Sequence, residues 1–194
     1  AALLSVGCTI EAAEAVAKGY CKHAIALVRP PGHHAMESEP NGFCFFNNVA
    51  IAAKKIMRDK YARKIAIIDW DVHHGQGTQR AFYDSPDILY ISIHRFEYGL
   101  FWPHLRESDI DHVGQGAGRG FNVNIPLNET GCGDLEYIYI FLRVILPVLT
   151  DFKPELIMIS AGYDAALGCP EGMRIIDTYS RRFFRLRDTF RAKN

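Results

Sequence analysis

The stretch Ile65-Ala66-Ile67-Ile68-Asp69-Trp70-Asp71-Val72-His73-His74-Gly75 decides the fold. Its first four residues are uniformly apolar and mostly β-branched, the composition of a strand buried on both faces of a parallel sheet. Polar residues follow at once. Side chains alternate along an extended backbone, so Asp69, Asp71 and His73 project from one face and Val72 from the other. Open α/β sheets gather ligands at the carboxyl ends of their strands, which is where this cluster stands. Burying two carboxylates and two imidazoles together costs on the order of several kcal/mol unless a cation or protons compensate, so the cluster reads as functional.

Working outward, residues 1–19 carry apolar positions at helical spacing and stop at Gly19, and Ala24 to Val28 reads as a strand cut by Arg29-Pro30-Pro31-Gly32. Val49 to Met57 is an amphipathic helix. Ile88 to Ile93, Phe121 to Ile125 and Leu156 to Ile159 read as further strands, and Leu135 to Leu149 as a long apolar helix. Gly114 to Gly120 reads as a surface loop. Alternation of β and α units predicts an α/β fold, a parallel sheet with helices on both faces.

The chain has 194 residues, 48% of them apolar, enough for one packed domain. Twenty-two basic residues balance twenty-two acidic ones, so no net charge favours direct contact with nucleic acid. Every apolar run is broken before the roughly 20 residues of a transmembrane span. Cys8, Cys21, Cys44, Cys132 and Cys169 are odd in number and form no CxxC pair, which fits a reducing, cytoplasmic or nuclear compartment. The chain begins at Ala1 rather than Met and lacks the basic start of a signal peptide, so it reads as a fragment or processed product. Residues 173–194 hold seven basic and two acidic residues against fifteen and twenty before them. Ile176, Tyr179, Phe183, Leu186 and Phe190 recur at helical spacing there, predicting a basic amphipathic tail helix.

Two more polar clusters follow predicted strands. His33-His34 comes after Ala24 to Val28, and Asp164 after Leu156 to Ile159. Asp71, His73 and Asp164 would form an O, N, O ligand set with positions left for water and substrate, the open pattern of a catalytic zinc. Hard carboxylates would also accept Fe²⁺, Co²⁺ or Mn²⁺. Asp69 is placed to orient a histidine. No Ser or Cys stands in a triad context, so the simplest chemistry is a metal-activated water attacking a carbonyl, with a histidine of the 33-34 pair as base.

Four segments carry a family resemblance: Arg29-Pro30-Pro31-Gly32-His33-His34-Ala35, Asn41-Gly42-Phe43-Cys44-Phe45-Phe46-Asn47, Asp69 to Gly75, and Ser160-Ala161-Gly162-Tyr163-Asp164-Ala165-Ala166. In this order they resemble the zinc-dependent histone deacetylases. Ser92-Ile93-His94-Arg95-Phe96 and Phe101-Trp102-Pro103-His104 resemble the class II branch, most closely class IIb. The resemblance implies an arginase/deacetylase-like sheet, here incomplete: a partial catalytic domain over residues 1–172 and a divergent tail over 173–194. It implies Zn²⁺ on Asp71, His73 and Asp164, His34 as general base, and His33 beside it bonded to Asp69. Phe43 and Phe101 would be aromatic walls of a tunnel for the acetyl-lysine stem, with Gly42 lending its backbone. A structural K⁺ is implied near Asp69, Asp71, His73 and Ser92. The implied partners are acetylated proteins such as histone tails or tubulin.

The chain departs from the family pattern in four places. Gln76 stands where many relatives pair the second histidine with Asp or Asn. Cys169 replaces an Asp, the family's N-terminal substrate loop has no counterpart, and no Gly-Gly-Tyr motif occurs to support an oxyanion. The expected function is therefore a protein lysine deacetylase impaired by truncation. The alternatives are an acetylpolyamine amidohydrolase and a catalytically silent acetyl-lysine or partner-binding fragment. The dinuclear manganese ureohydrolases share a similar sheet plan but need further carboxylates, which are not found beside His33-His34.

Overall fold

A computed structural model describes residues 1–166 and 168–172. Its centre is a four-stranded parallel sheet in the order β3-β2-β1-β4, with β1 at Ile65–Asp69, β2 at Ile88–Arg95, β3 at Asn122–Leu127 and β4 at Leu156–Ser160. Both central strands are buried on both faces, as their unbroken apolar runs require. Ile65, Ile67, Ile88, Tyr90 and Leu156 face a layer made by α1 (Ala2–Ala17), α2 (Asn48–Arg58) and α3 (Gln76–Phe82). Ala66, Ile68, Leu89, Ile91 and Ile93 face the opposite layer, made by the helical rod from Asp134 to Phe152. Helices thus cover both faces, as alternation along the chain predicts. No helix among the described residues is long and apolar enough to cross a membrane.

That rod is α4 (Asp134–Ile140), one wider π turn (Phe141–Ile145) and α5 (Leu146–Phe152). Pro147 lacks an amide proton and would crowd the carbonyl four residues back, and the extra residue in the π turn relieves that conflict. α2 starts where the Asn47 side chain accepts the Ala50 amide at 3.0 Å.

Ala24 to Val28 is not a strand: it joins no ladder among the described residues, and Ile25 and Leu27 are 82% and 86% exposed. A strand's backbone groups need a neighbour's donors and acceptors, and β-branched composition cannot supply one. The Gly114 to Gly120 segment is the expected surface loop, exposed at residues 115–117, 119 and 120, with Gly118 buried against the backbone of residues 83–85. α3, polar and short, lies where the sequence offers no helical period. The predicted tail helix lies outside the described residues.

β2 also carries a buried polar pair. His94 Nε2 donates to Ser108 O at 2.8 Å, and Ser92 Oγ donates to His94 Nδ1 at 2.9 Å. Burial pushes the imidazole down from its usual 6.5 to about 4, outweighing the opposing pull of the Ser108 carbonyl and the Asp109 carboxylate. The folded chain therefore refuses a proton that the unfolded chain accepts below pH 6.5, and stability falls as pH drops from 6.5 towards 4. The expected loss is about 3 kcal/mol from this group. Urea unfolding at pH 7 and pH 4.5 checks it: His94→Asn should lose clearly less on acidification than wild type, and equal losses would rule it out.

Candidate metal centre and active site

The strand register assembles the site. Asp69, at the carboxyl end of β1, lies opposite Ser92 of β2 and Ser160 of β4. The chain leaves β1 through Asp71 and His73, and leaves β4 towards Asp164. Val72 N donates to Asp164 Oδ1 at 3.0 Å, tying the two exits together. His73 Nδ1 lies 3.1 Å from Asp71 Oδ1 and 3.1 Å from Asp164 Oδ2. A donor edge in a tetrahedral zinc site is about 3.3 Å for bonds near 2.0 Å, so this N, O, O set fits a divalent ion. Asp71 also belongs to a second cluster of possible ligands, with His33 and His34. Gly162 makes room, since a Cβ there would meet Asp71 Oδ2 at 2.1 Å.

The paired histidines reach the same place through the Arg29-Pro30-Pro31-Gly32 loop. Ser5 Oγ donates to Pro30 O at 2.9 Å, and Asn48 Nδ2 donates to Ser5 Oγ at 2.8 Å, so α1 and α2 anchor that loop. His33 Nδ1 sits 2.9 Å from Asp69 Oδ2, which Tyr90 Oη also contacts at 3.0 Å. His33 Nε2 lies 3.7 Å from Asp71 Oδ2. Burial would lower the His33 pKa, but the carboxylates of Asp69 and Asp71 outweigh it and raise it to about 9. His34 goes the other way. Burial first, and the charge on His33 second, push it down to about 3. His34 Nδ1 lies 2.8 Å from Gln76 Oε1, an acceptor, so Nδ1 carries the proton and Nε2 keeps its lone pair. The two imidazole centroids lie 3.8 Å apart with the rings tilted by 42°, one charged and one neutral. Such divergence between neighbours marks distinct proton-handling roles.

The two aromatic residues expected as walls differ in exposure. Phe43 is 91% exposed at the mouth with φ of 65°. Phe101 is half-buried, stacked on His73 at 5.2 Å with an interplanar angle of 15°. Trp102, which the sequence reading left without a role, meets the His34 ring edge-on at 4.5 Å and the His73 ring at 5.5 Å. Only its position beside the Phe101 wall motif could have signalled this.

Gly42 faces both. Its φ is +49°, and a Cβ would meet His34 Cδ2 at 2.4 Å and the far edge of Trp102 at 2.6 Å. Gly42→Ala should therefore displace the His34 ring and lower turnover about 10²-fold, the cost of misplacing a reacting group by about 1 Å. Kinetics and a thermal melt on one sample check this; unchanged turnover in a folded variant would contradict the placement.

Fold and site together define an arginase/deacetylase-like α/β protein. The chain belongs to the histone deacetylase family: the histone deacetylase domain profile matches residues 1–187, running past Gly172, where the motif resemblance stops. It is 52% identical over 171 residues to a rat protein named polyamine deacetylase HDAC10, covering 88% of this chain and 29% of that one. It is 50% identical over 184 residues to Caenorhabditis elegans histone deacetylase 6, covering 94% and 19%, and 52% identical over 169 residues to Candida albicans histone deacetylase HDA1, covering 86% and 20%. The chain therefore spans under a third of the length of these relatives. A crystal structure of the HDA15 HD domain superposes with a TM-score of 0.85 at 45% identity, covering 89% of this chain and 49% of that one.

Proposed function

We propose that this chain carries the metal-dependent hydrolytic centre of a protein lysine deacetylase, acting on acetylated side chains of proteins such as histone tails or tubulin. The observation that supports it most is His34: a neutral imidazole, fixed through Nδ1 on Gln76, with no hydrogen bond on Nε2 among the described residues, beside the Asp71, His73 and Asp164 cluster. A divalent metal held by those three residues, zinc by family resemblance, would polarise an amide carbonyl and acidify water. His34 Nε2 takes the proton that water gives up, and can return it to the departing amine. His33, held positive by Asp69, contributes fixed charge opposite the developing negative charge. Phe43 and Phe101, the walls implied by the resemblance, with Gly42 packed against Trp102, offer apolar surface to an aliphatic stem and disfavour a free ammonium. Asp69 and Ser92 are register partners, so the K⁺ implied by resemblance would find oxygens on adjacent strands.

A second substrate class has a specific support, since relatives at 52% identity include proteins named for polyamine deacetylation as well as for histone deacetylation. A panel of acetyl-lysine peptides and acetylspermidine, run with the zinc-loaded 194-residue chain and with a hydroxamate chelator, tests the reading. Chelator-sensitive release of acetate from the peptides supports it. Turnover of acetylspermidine alone would transfer the function to polyamines, and stoichiometric metal without turnover of either would favour a silent binding fragment. Cytoplasmic or nuclear residence is part of the same proposal, supported by five scattered cysteines that form no CxxC pair.

A further inference from the structure

His73 presents an orientation problem. Its Nδ1 is aimed at Asp71 and Asp164, yet its Nε2 has no hydrogen-bond partner among the described residues. A metal-ligating imidazole is normally steered by a bond on its far nitrogen. Here the ring is steered by packing, through the Phe101 ring stacked on its face. Phe101 in turn carries a cation over its ring: the Arg95 guanidinium carbon lies 4.0 Å from the Phe101 centroid. Arg95, Phe101 and His73 form one chain of contacts ending at the ligand atom.

We infer that Arg95 is a positioning residue for the metal centre, setting the His73 imidazole through Phe101. This rests on the reading of Asp71, His73 and Asp164 as metal ligands. Arg95 is only 5% exposed, and a buried guanidinium needs partners on all sides. It has them. Nε and Nη2 bind the Glu97 carboxylate, and Nη1 donates to Glu171 O at 3.0 Å. The Arg95 amide donates to Val72 O at 2.8 Å, in the peptide between the ligands Asp71 and His73. One residue at the end of β2 therefore touches the backbone between two ligands, the ring that orients one of them, and the loop that follows the third, Asp164. Glu97 and Tyr98 both take left-handed backbone angles, φ 50° and 56°, so the chain accepts strain immediately after Arg95. The Arg95–Glu97 pair and the bond from Tyr98 N to Asn128 Oδ1 at 2.8 Å hold that turn in place. A planar guanidinium suits this role because it can lie flat on a ring while its edge donates elsewhere.

The test uses the 194-residue chain and reads metal rather than turnover. Zn²⁺ affinity is measured by competition with a chromogenic chelator, and the visible spectrum of the Co²⁺-loaded protein reports ligand geometry. Arg95→Met should weaken Zn²⁺ binding about 10- to 100-fold and alter the Co²⁺ bands, as loss of a ligand-orienting partner does. Phe101→Leu should do the same, and the double variant should be no worse than the weaker single one, because both act through one chain of contacts. Arg95→Lys, which restores a cation over the ring without the planar fork, should recover part of the affinity. Wild-type affinity and spectrum in Arg95→Met, with only the melting temperature lowered, would overturn the inference, as would fully additive losses. If Arg95→Met does not fold, wild-type affinity and spectrum in both Arg95→Lys and Phe101→Leu overturn it equally. A wild-type chain that takes up no metal overturns it too. A wild-type chain that binds metal through these residues but releases no acetate refutes the deacetylase proposal alone.

Discussion

Asp71→Asn is expected to leave the chain without a tightly bound divalent metal. Asp71 faces His73 Nδ1 at 3.1 Å and also accepts the His73 amide at 2.8 Å through Oδ1. An asparagine keeps the shape and can still accept that amide, so the loop should hold, but it removes the negative charge that balances the ion. Losing one member of a desolvated charged pair costs about 3–5 kcal/mol, roughly 10² to 10⁴ in affinity. The variant should also lose part of what holds His33 positive, because Asp71 is the second carboxylate facing that ring. Elemental analysis after gel filtration decides the matter. Stoichiometric zinc in Asp71→Asn would remove Asp71 from the ligand set.

His34→Ala should have the opposite signature, lowering turnover about 10²- to 10⁴-fold while zinc content stays near one per chain. The distinction matters because two ligand clusters share Asp71, one with His73 and Asp164 and one with His33 and His34. In the second, His34 would be a ligand and the metal would leave with it. The Gln76 bond favours the first: with Nδ1 committed, His34 has one lone pair for either a proton or a metal, and the Asp71, His73 and Asp164 donors already meet at 3.1 Å. Parallel loss of zinc and rate in His34→Ala would show the second cluster is the occupied one.

The strand Ile65 to Ile68, the polar run after it and the placement of Asp164 after another strand were readable because each depends on local composition. An apolar β-branched run buried on both sides looks the same in any parallel sheet, and side-chain alternation follows from strand geometry. The motifs around His33-His34 and Asp69 to Gly75 carried the family for the same reason. Ala24 to Val28 was misread because its composition is that of a strand, whereas pairing is a property of the neighbours. α3 was missed because it buries Gln76, Thr78 and Gln79 by hydrogen bonding to His34, Asn47 and His74, leaving no apolar period to see.

The sequence by itself determined which residue types reach the carboxyl ends of the strands: two carboxylates and a histidine after β1, a third carboxylate after β4, and a histidine pair after a Pro-Pro-Gly turn. Only the tertiary structure decided how they divide the work. His33 and His34 are adjacent and chemically identical, yet one meets Asp69 and Asp71 and is driven positive, while the other meets an uncharged amide and stays neutral. Trp102 and Arg95 became part of the site in the same way, one against His34 and the other behind Phe101. Charge, desolvation and ring stacking act through space over a few ångströms, and residues 33, 69, 76, 95 and 102 come within that range only once the sheet has folded.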